Sequence, residues 1–163
     1  MSKQNNIEVY SLKLATNQMP KLTIDYFKNI VRYGPKNNFP AYLLFLQKNH
    51  PMHGGILKGK ARYVSGTDIK SKSGSPQAIE FLKKANPFES VYEVNVKTDV
   101  DEGISGGYFM KIVSNLIGTP LQYFHLPWAM CRISPCGEYV QYSEDWDNLF
   151  LYPATEYPVW REG

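Results

Sequence analysis

Past residue 106 the chain is cut so often by glycine and proline that only short strands fit there. Four stretches rich in β-branched and aromatic residues, 108–113, 121–125, 129–134 and 138–142, are separated by Gly118-Thr119-Pro120, Leu126-Pro127 and Pro135-Cys136-Gly137. Short strands joined by tight turns pair with their sequence neighbours, which predicts two hairpins in series in a small antiparallel sheet. Upstream the prolines stand where helices begin. Pro40 opens a stretch whose Tyr42, Leu43, Phe45 and Leu46 give a broad apolar face that demands burial, and His50-Pro51 ends it. A second helical stretch starts near Met52 and passes Ile56, Ala61 and Tyr63 to Gly66 at its C-cap. Together they predict a helical hairpin. Gly54, Gly55 and Gly59 each cost roughly 1 kcal/mol there relative to Ala, and close helix contact across the His50-Pro51 corner is the simplest reason for them. Ser75-Pro76 opens a third helix through Ile79, Leu82 and Ala85, stopped by Asn86-Pro87. Helices followed by strands define an α+β class, and a length of 163 residues suits one domain over 1–163.

Other segments are less constrained. Residues 7–14 alternate as a short strand, and residues 23–31 carry Ile24, Phe27, Ile30 and Val31 at helical spacing. Residues 88–102 satisfy both templates. Tyr92, Val94 and Val96 alternate, while Phe88, Tyr92, Val96 and Val100 recur every four residues, so pattern alone leans to strand through its valines. The tail, with Tyr152-Pro153 and Tyr157-Pro158-Val159-Trp160, is aromatic and proline-rich without a period.

A hydrophobic fraction of 43% supports a packed core, and the longest apolar run, residues 41–46, is far too short to cross a bilayer. The polar start, Met1-Ser2-Lys3-Gln4, does not read as a secretory signal, and two cysteines cannot build a disulfide scaffold. The net charge of +3 hides an asymmetry: residues 1–100 balance at +8 and residues 101–163 at −5. Such halves can attract each other within a molecule or steer one subunit onto the next. The densest basic stretch holds Lys58, Lys60, Arg62, Lys70 and Lys72.

No catalytic constellation emerges. The sequence lacks nucleophile-elbow, zinc-protease, Walker and dinucleotide motifs. His50 and His53 have a metal-like spacing, but Pro51 breaks the helix that would align them and no third ligand is spaced to join them. Cys131 and Cys136 read as two core or edge thiols. Gly103-Ile104-Ser105-Gly106-Gly107 lacks the Lys-Ser/Thr of a phosphate loop and reads as turns into a strand; Asp99, Asp101 and Glu102 read as a solvated acidic face. The sequence predicts no catalytic residue, no metal and no cofactor.

One resemblance runs through the chain. Tyr33-Gly34, Asn37, Pro40, Tyr42-Leu43 and Leu46 follow a "Y-G-x-x-N-x-x-P-x-Y-L-x-x-L" order; His53 and Lys60-x-x-Tyr63-x-x-Gly66 come next. Gly106-Gly107-Tyr108-Phe109, His125-Leu126-Pro127, Arg132 and Ser143-Glu144-Asp145-Trp146 continue the series. In order and spacing these resemble the N-terminal wing region of tailed-phage portal proteins, over roughly residues 25–150. The resemblance implies a structural, non-enzymatic subunit of a homo-oligomeric ring at the capsid vertex, through which double-stranded DNA passes. It implies the major capsid protein, terminase and a head–tail adaptor as partners, no membrane, and a location in the virion, with the host cytoplasm as the place of assembly. It also favours helix over strand for residues 88–102. The chain departs from the family by stopping before stem, clip and crown, so it reads as a truncated wing whose open aromatic end, with Tyr152, Tyr157 and Trp160, forms an apolar interface. A second reading is a nucleic-acid-binding module using Lys58, Lys60, Arg62, Lys70 and Lys72 with Tyr63 as a stacking surface. A third, a small hydrolase or transferase, would work through His125 or the His50/His53 pair.

Overall fold

The computed structural model describes residues 21–160 apart from 35, 67 and 68. The strand expected at 7–14 lies outside the described residues. The fold is α+β. A hairpin of β1 (Leu22–Asp25) and β2 (Ile30–Tyr33) comes first, followed by α1 (Phe39–Asn49), α2 (Pro51–Ser65), α3 (Pro76–Lys83) and α4 (Val91–Ser105). Then come β3 (Phe109–Ser114), β4 (Pro120–Leu126), a 3₁₀ turn (Trp128–Met130), β5 (Cys131–Ile133), β6 (Tyr139–Tyr142) and β7 (Thr155–Pro158).

The β1–β2 hairpin overturns the helix expected at 23–31. Leu22 pairs with Tyr33 and Asp25 with Ile30. Asp25 Oδ1 accepts the Phe27 and Lys28 amides, closing the turn, and Asn29 adopts a left-handed φ of 51°. A short side-chain acceptor that captures its own downstream amides competes with the first turn of a helix. Thr23, Ile24, Ile30 and Val31 are β-branched and suit the strands on either side. The helical spacing misled because Phe27 sits at the hairpin tip, in solvent.

Of residues 88–102, those from Val91 onward are helical, against the lean of their alternation. Ser90 Oγ accepts the Glu93 amide, and the Glu93 carboxylate accepts the Ser90 amide, a reciprocal capping box that starts α4. Gly106, at φ 79°, closes that helix in the left-handed region, so the turn reading of residues 103–107 holds only at its end; Gly103 lies inside α4. The helical corner also holds, with His50 the single residue between α1 and α2. However, α2 lies chiefly along α4 and touches α1 less. Leu57 and Ala61 are buried. The glycines divide accordingly. A Cβ at Gly54 would stand 2.6 Å from the Gln47 carbonyl oxygen, and one at Gly103 3.0 Å from Leu57 Cδ2, whereas Gly55 and Gly59 face open space. Close contact across the corner therefore explains Gly54 alone. On α1, Leu43 and Leu46 are half-buried while Tyr42 and Phe45 stay mostly exposed, so the demanded burial is incomplete within the chain.

The strands do not merge into one sheet. β3 and β4 pair from Phe109↔Leu126 onward with an irregularity at Ser114, and β5, β6 and β7 form a separate antiparallel sheet. β7 departs from the periodless reading of the tail: Pro153 precedes it and Pro158 is its last residue, leaving too few positions for an alternating pattern. Ala85, Val91 and Val94 form the buried cluster, with Phe81, Leu82 and Tyr123 packed against it. The Tyr123 amide donates to the Ala85 carbonyl and Asn86 Nδ2 to the Tyr123 carbonyl, which fastens β4 to the α3–α4 corner.

Candidate functional site

Arg132 on β5 is buried at 2% exposure. Its guanidinium donates to Asn37 Oδ1 (2.7 Å), to the Ala129 carbonyl (2.8 Å) and to the Cys131 carbonyl (2.7 Å). It lies 5.0 Å from the Tyr33 ring centroid and 5.2 Å from that of Trp146. No carboxylate pairs with it among the described residues. Burial pulls its pKa down to about 10, which still leaves it charged at neutral pH. Neutral oxygens and aromatic faces thus carry a whole buried charge, which locks their relative positions. Asn37, left-handed at φ 55°, also accepts the Tyr33 amide, and Tyr33 stacks on Trp128 at 5.4 Å. Trp146 Nε1 donates to the Met130 carbonyl, and Lys28 Nζ to the Trp146 carbonyl. Burial pushes the Tyr33 hydroxyl up from its ordinary range and the Cys131 thiol up to about 12.

A second polar node joins α4 to the far end of β4. Asp101 Oδ2 accepts the Trp128 amide at 2.8 Å and shares a hydrogen bond of 2.8 Å with His125 Nε2. Asp99, two residues earlier, bonds to Ser65. The acidic cluster is therefore not a solvated face: Glu102 alone of the three is exposed. Only the tertiary pairing distinguishes them.

The histidines do not converge. His50 and His53 line an open groove of about 450 Å³ with Leu43, Leu46, Leu57 and Ile104, and no carboxylate or thiol joins its lining. His125 lies instead on β4, bonded to Asp101. No group of three metal-ligating side chains occurs among the described residues. Cys131 and Cys136 do not pair; the first is buried and the second exposed, with its sulfur 3.2 Å from Ser134 Oγ. No helix among the described residues is long and apolar enough to cross a membrane.

Lys58, Lys60 and Arg62 stand exposed on α2, where Lys58 and Arg62 are one turn apart. Lys70 and Lys72 lie past Gly66. Lys58 lines a groove with Lys48, Gly54 and Gly55; Lys70 lines a different one with Ile79, Lys83 and Tyr92. Of the tail aromatics, Trp160 is 74% and Tyr152 42% exposed, and Tyr157 is partly covered by Lys111 Nζ, 4.9 Å from its ring centroid.

The surface is unusual in what it leaves open. Among the described residues nine apolar side chains besides Pro40 are buried, against 25 large apolar ones that are exposed. Phe27, Leu116, Ile117 and Phe150 are almost wholly in solvent. No family model, curated protein or solved structure matches this chain.

Proposed function

We propose that this protein is a structural assembly subunit of the phage-portal-wing type, whose work is contact with copies of itself and with neighbouring capsid-vertex proteins. The observation that carries the reading is the excess of exposed over buried large apolar side chains. Exposed apolar side chains, where they adjoin, form the patches that mark interaction surfaces. Tyr33, Asn37, Arg132 and Trp146, far apart in the sequence, meet in one cluster that fixes the turn after β2 against the C-terminal sheet. No carboxylate or thiol lines the groove beside His50 and His53, while His125 is bonded to Asp101 elsewhere.

Native mass spectrometry of the purified chain over a concentration series tests this. A closed ring of defined copy number is the expected product. A strictly monomeric chain at the highest attainable concentration would remove the proposal. The nucleic-acid reading draws on exposed Lys58, Lys60 and Arg62 beside Tyr63, which is 88% exposed. It predicts DNA affinity that falls steeply with salt, a slope that Lys58→Glu and Arg62→Glu would flatten.

A further inference from the structure

Two stretches of the chain carry charge of a single sign. Residues 36–66 hold Lys36, Lys48, Lys58, Lys60 and Arg62 and no acid, all five exposed. Residues 133–160 hold Glu138, Glu144, Asp145, Asp147 and Glu156 and no base. None of these ten forms an ion pair among the described residues; the three recorded pairs are Arg32–Asp25, Lys97–Glu89 and His125–Asp101. Each stretch also keeps apolar side chains in solvent: Met52, Ile56 and Tyr63 in the first, Phe150, Leu151 and Trp160 in the second.

The geometry of α2 organises its half. At one hundred degrees per residue, Gly54, Leu57 and Ala61 point to one side, and these are its three buried residues. Met52, Ile56, Gly59 and Tyr63 fall within an arc of about 60° on the opposite side, flanked by Lys60 on one edge and Arg62 on the other. An apolar stripe between two cationic rails suits an apolar surface rimmed by carboxylates. The 133–160 region of this same chain supplies both ingredients: exposed Phe150, Leu151 and Trp160, and exposed Glu138, Glu144, Asp147 and Glu156 that form no ion pair among the described residues, although Lys28 and Lys111 reach this region at Trp146 and Tyr157.

We propose that the outward face of α2 in one copy docks onto the acidic, aromatic 133–160 region of the next, a head-to-tail contact in which each copy offers one patch and receives on the other. The proposal rests on the assembly reading above and names its interface. Different patches meet at every contact, so the arrangement propagates and closes into a ring if its rotation allows. Gly55 and Gly59, bare toward solvent within the chain, let the neighbour's backbone approach α2 closely.

Charge reversal with mixing tests it. One variant carries Lys58→Glu, Lys60→Glu and Arg62→Glu; the other carries Glu138→Lys, Glu144→Lys, Asp147→Lys and Glu156→Lys. Sedimentation at low salt is expected to show the unmodified chain assembling and each variant alone associating about tenfold or more weakly. An equal mixture regains assembly, because every contact again joins opposite signs. Far-UV circular dichroism confirms folding, and Ile56→Ser with Tyr63→Ser repeats the test without changing charge. If the unmodified chain assembles but the variants assemble equally well, the interface lies elsewhere and only this inference falls. If the unmodified chain stays monomeric, the assembly reading falls with it. If reversal on α2 abolishes binding to duplex DNA and leaves assembly intact, the face serves nucleic acid and the inference is overturned.

Discussion

Arg132 Nε donates to Asn37 Oδ1 across 2.7 Å, joining positions 95 residues apart in the chain. That one bond ties the turn after β2 to the C-terminal sheet, with the Tyr33 and Trp146 rings on the same guanidinium.

Arg132→Ala leaves Asn37 Oδ1 and the Ala129 and Cys131 carbonyls without their donor and opens a cavity, so the expected loss is about 3 kcal/mol of folding stability. Arg132→Lys recovers only part of it, because an ammonium cannot reproduce the planar fork. Urea denaturation measures both. A loss for Arg132→Ala within 0.5 kcal/mol, the ordinary range for surface changes, would mean that the cluster does not hold the sheet.

Cys131 couples this cluster to pH. Its thiol ionises near 9.0 in the unfolded chain but is held to about 12 when folded, by burial first of all. Above pH 9 the native state keeps a proton that the unfolded state releases. The stabilisation is therefore whole below pH 9 and declines as pH rises toward 12. Between about pH 8 and pH 10 the chain should lose about 1 kcal/mol that Cys131→Ala does not lose. Native thiol titration at pH 8 should count one reactive group, the exposed Cys136, and two after unfolding.

The glycines of α2 should part company. Gly54→Ala drives a methyl to 2.6 Å from the Gln47 carbonyl oxygen, and a destabilisation of about 2 kcal/mol is expected. Gly59→Ala meets nothing within 4 Å and gains helix propensity, raising stability by about 0.5–1 kcal/mol. Thermal unfolding of the two variants under identical conditions decides; equal shifts would contradict the packing at the corner.

Within the acidic cluster, Asp101→Ala strips the Trp128 amide and His125 of their acceptor and should cost about 2 kcal/mol. Glu102→Ala, on the exposed side of α4, should stay within about 0.5 kcal/mol of the parent. Chemical denaturation separates them, and a Glu102 effect as large as that of Asp101 would reverse the assignment.

Much of this architecture was legible locally. Pro40, Pro51 and Pro76 stand in the first turns of α1, α2 and α3, and Gly66 at the C-cap of α2, because each acts through its own φ or its missing amide. The β3–β4 and β5–β6 hairpins followed from turn chemistry in the same way. The capping box of Ser90 and Glu93 was equally local and identifies α4, but the valine alternation masked it. The β1–β2 hairpin was hidden for the converse reason: its apolar residues happened to fall at helical spacing, and the Asp25 turn outweighed them.

The sequence by itself determined the α+β class, the starts of α1, α2 and α3, the turns between β3 and β4 and between β5 and β6, and the opposed charge of the two regions, since all of these act over a few residues or depend on composition alone. Only the tertiary structure decided that Asp101 is bonded while Glu102 is exposed, that Arg132 is enclosed by rings and carbonyls, that Gly54 is crowded while Gly59 is open, and that β7 joins β6. Each of these depends on which distant backbone comes within about 3–5 Å, and residue spacing along one chain carries no record of that.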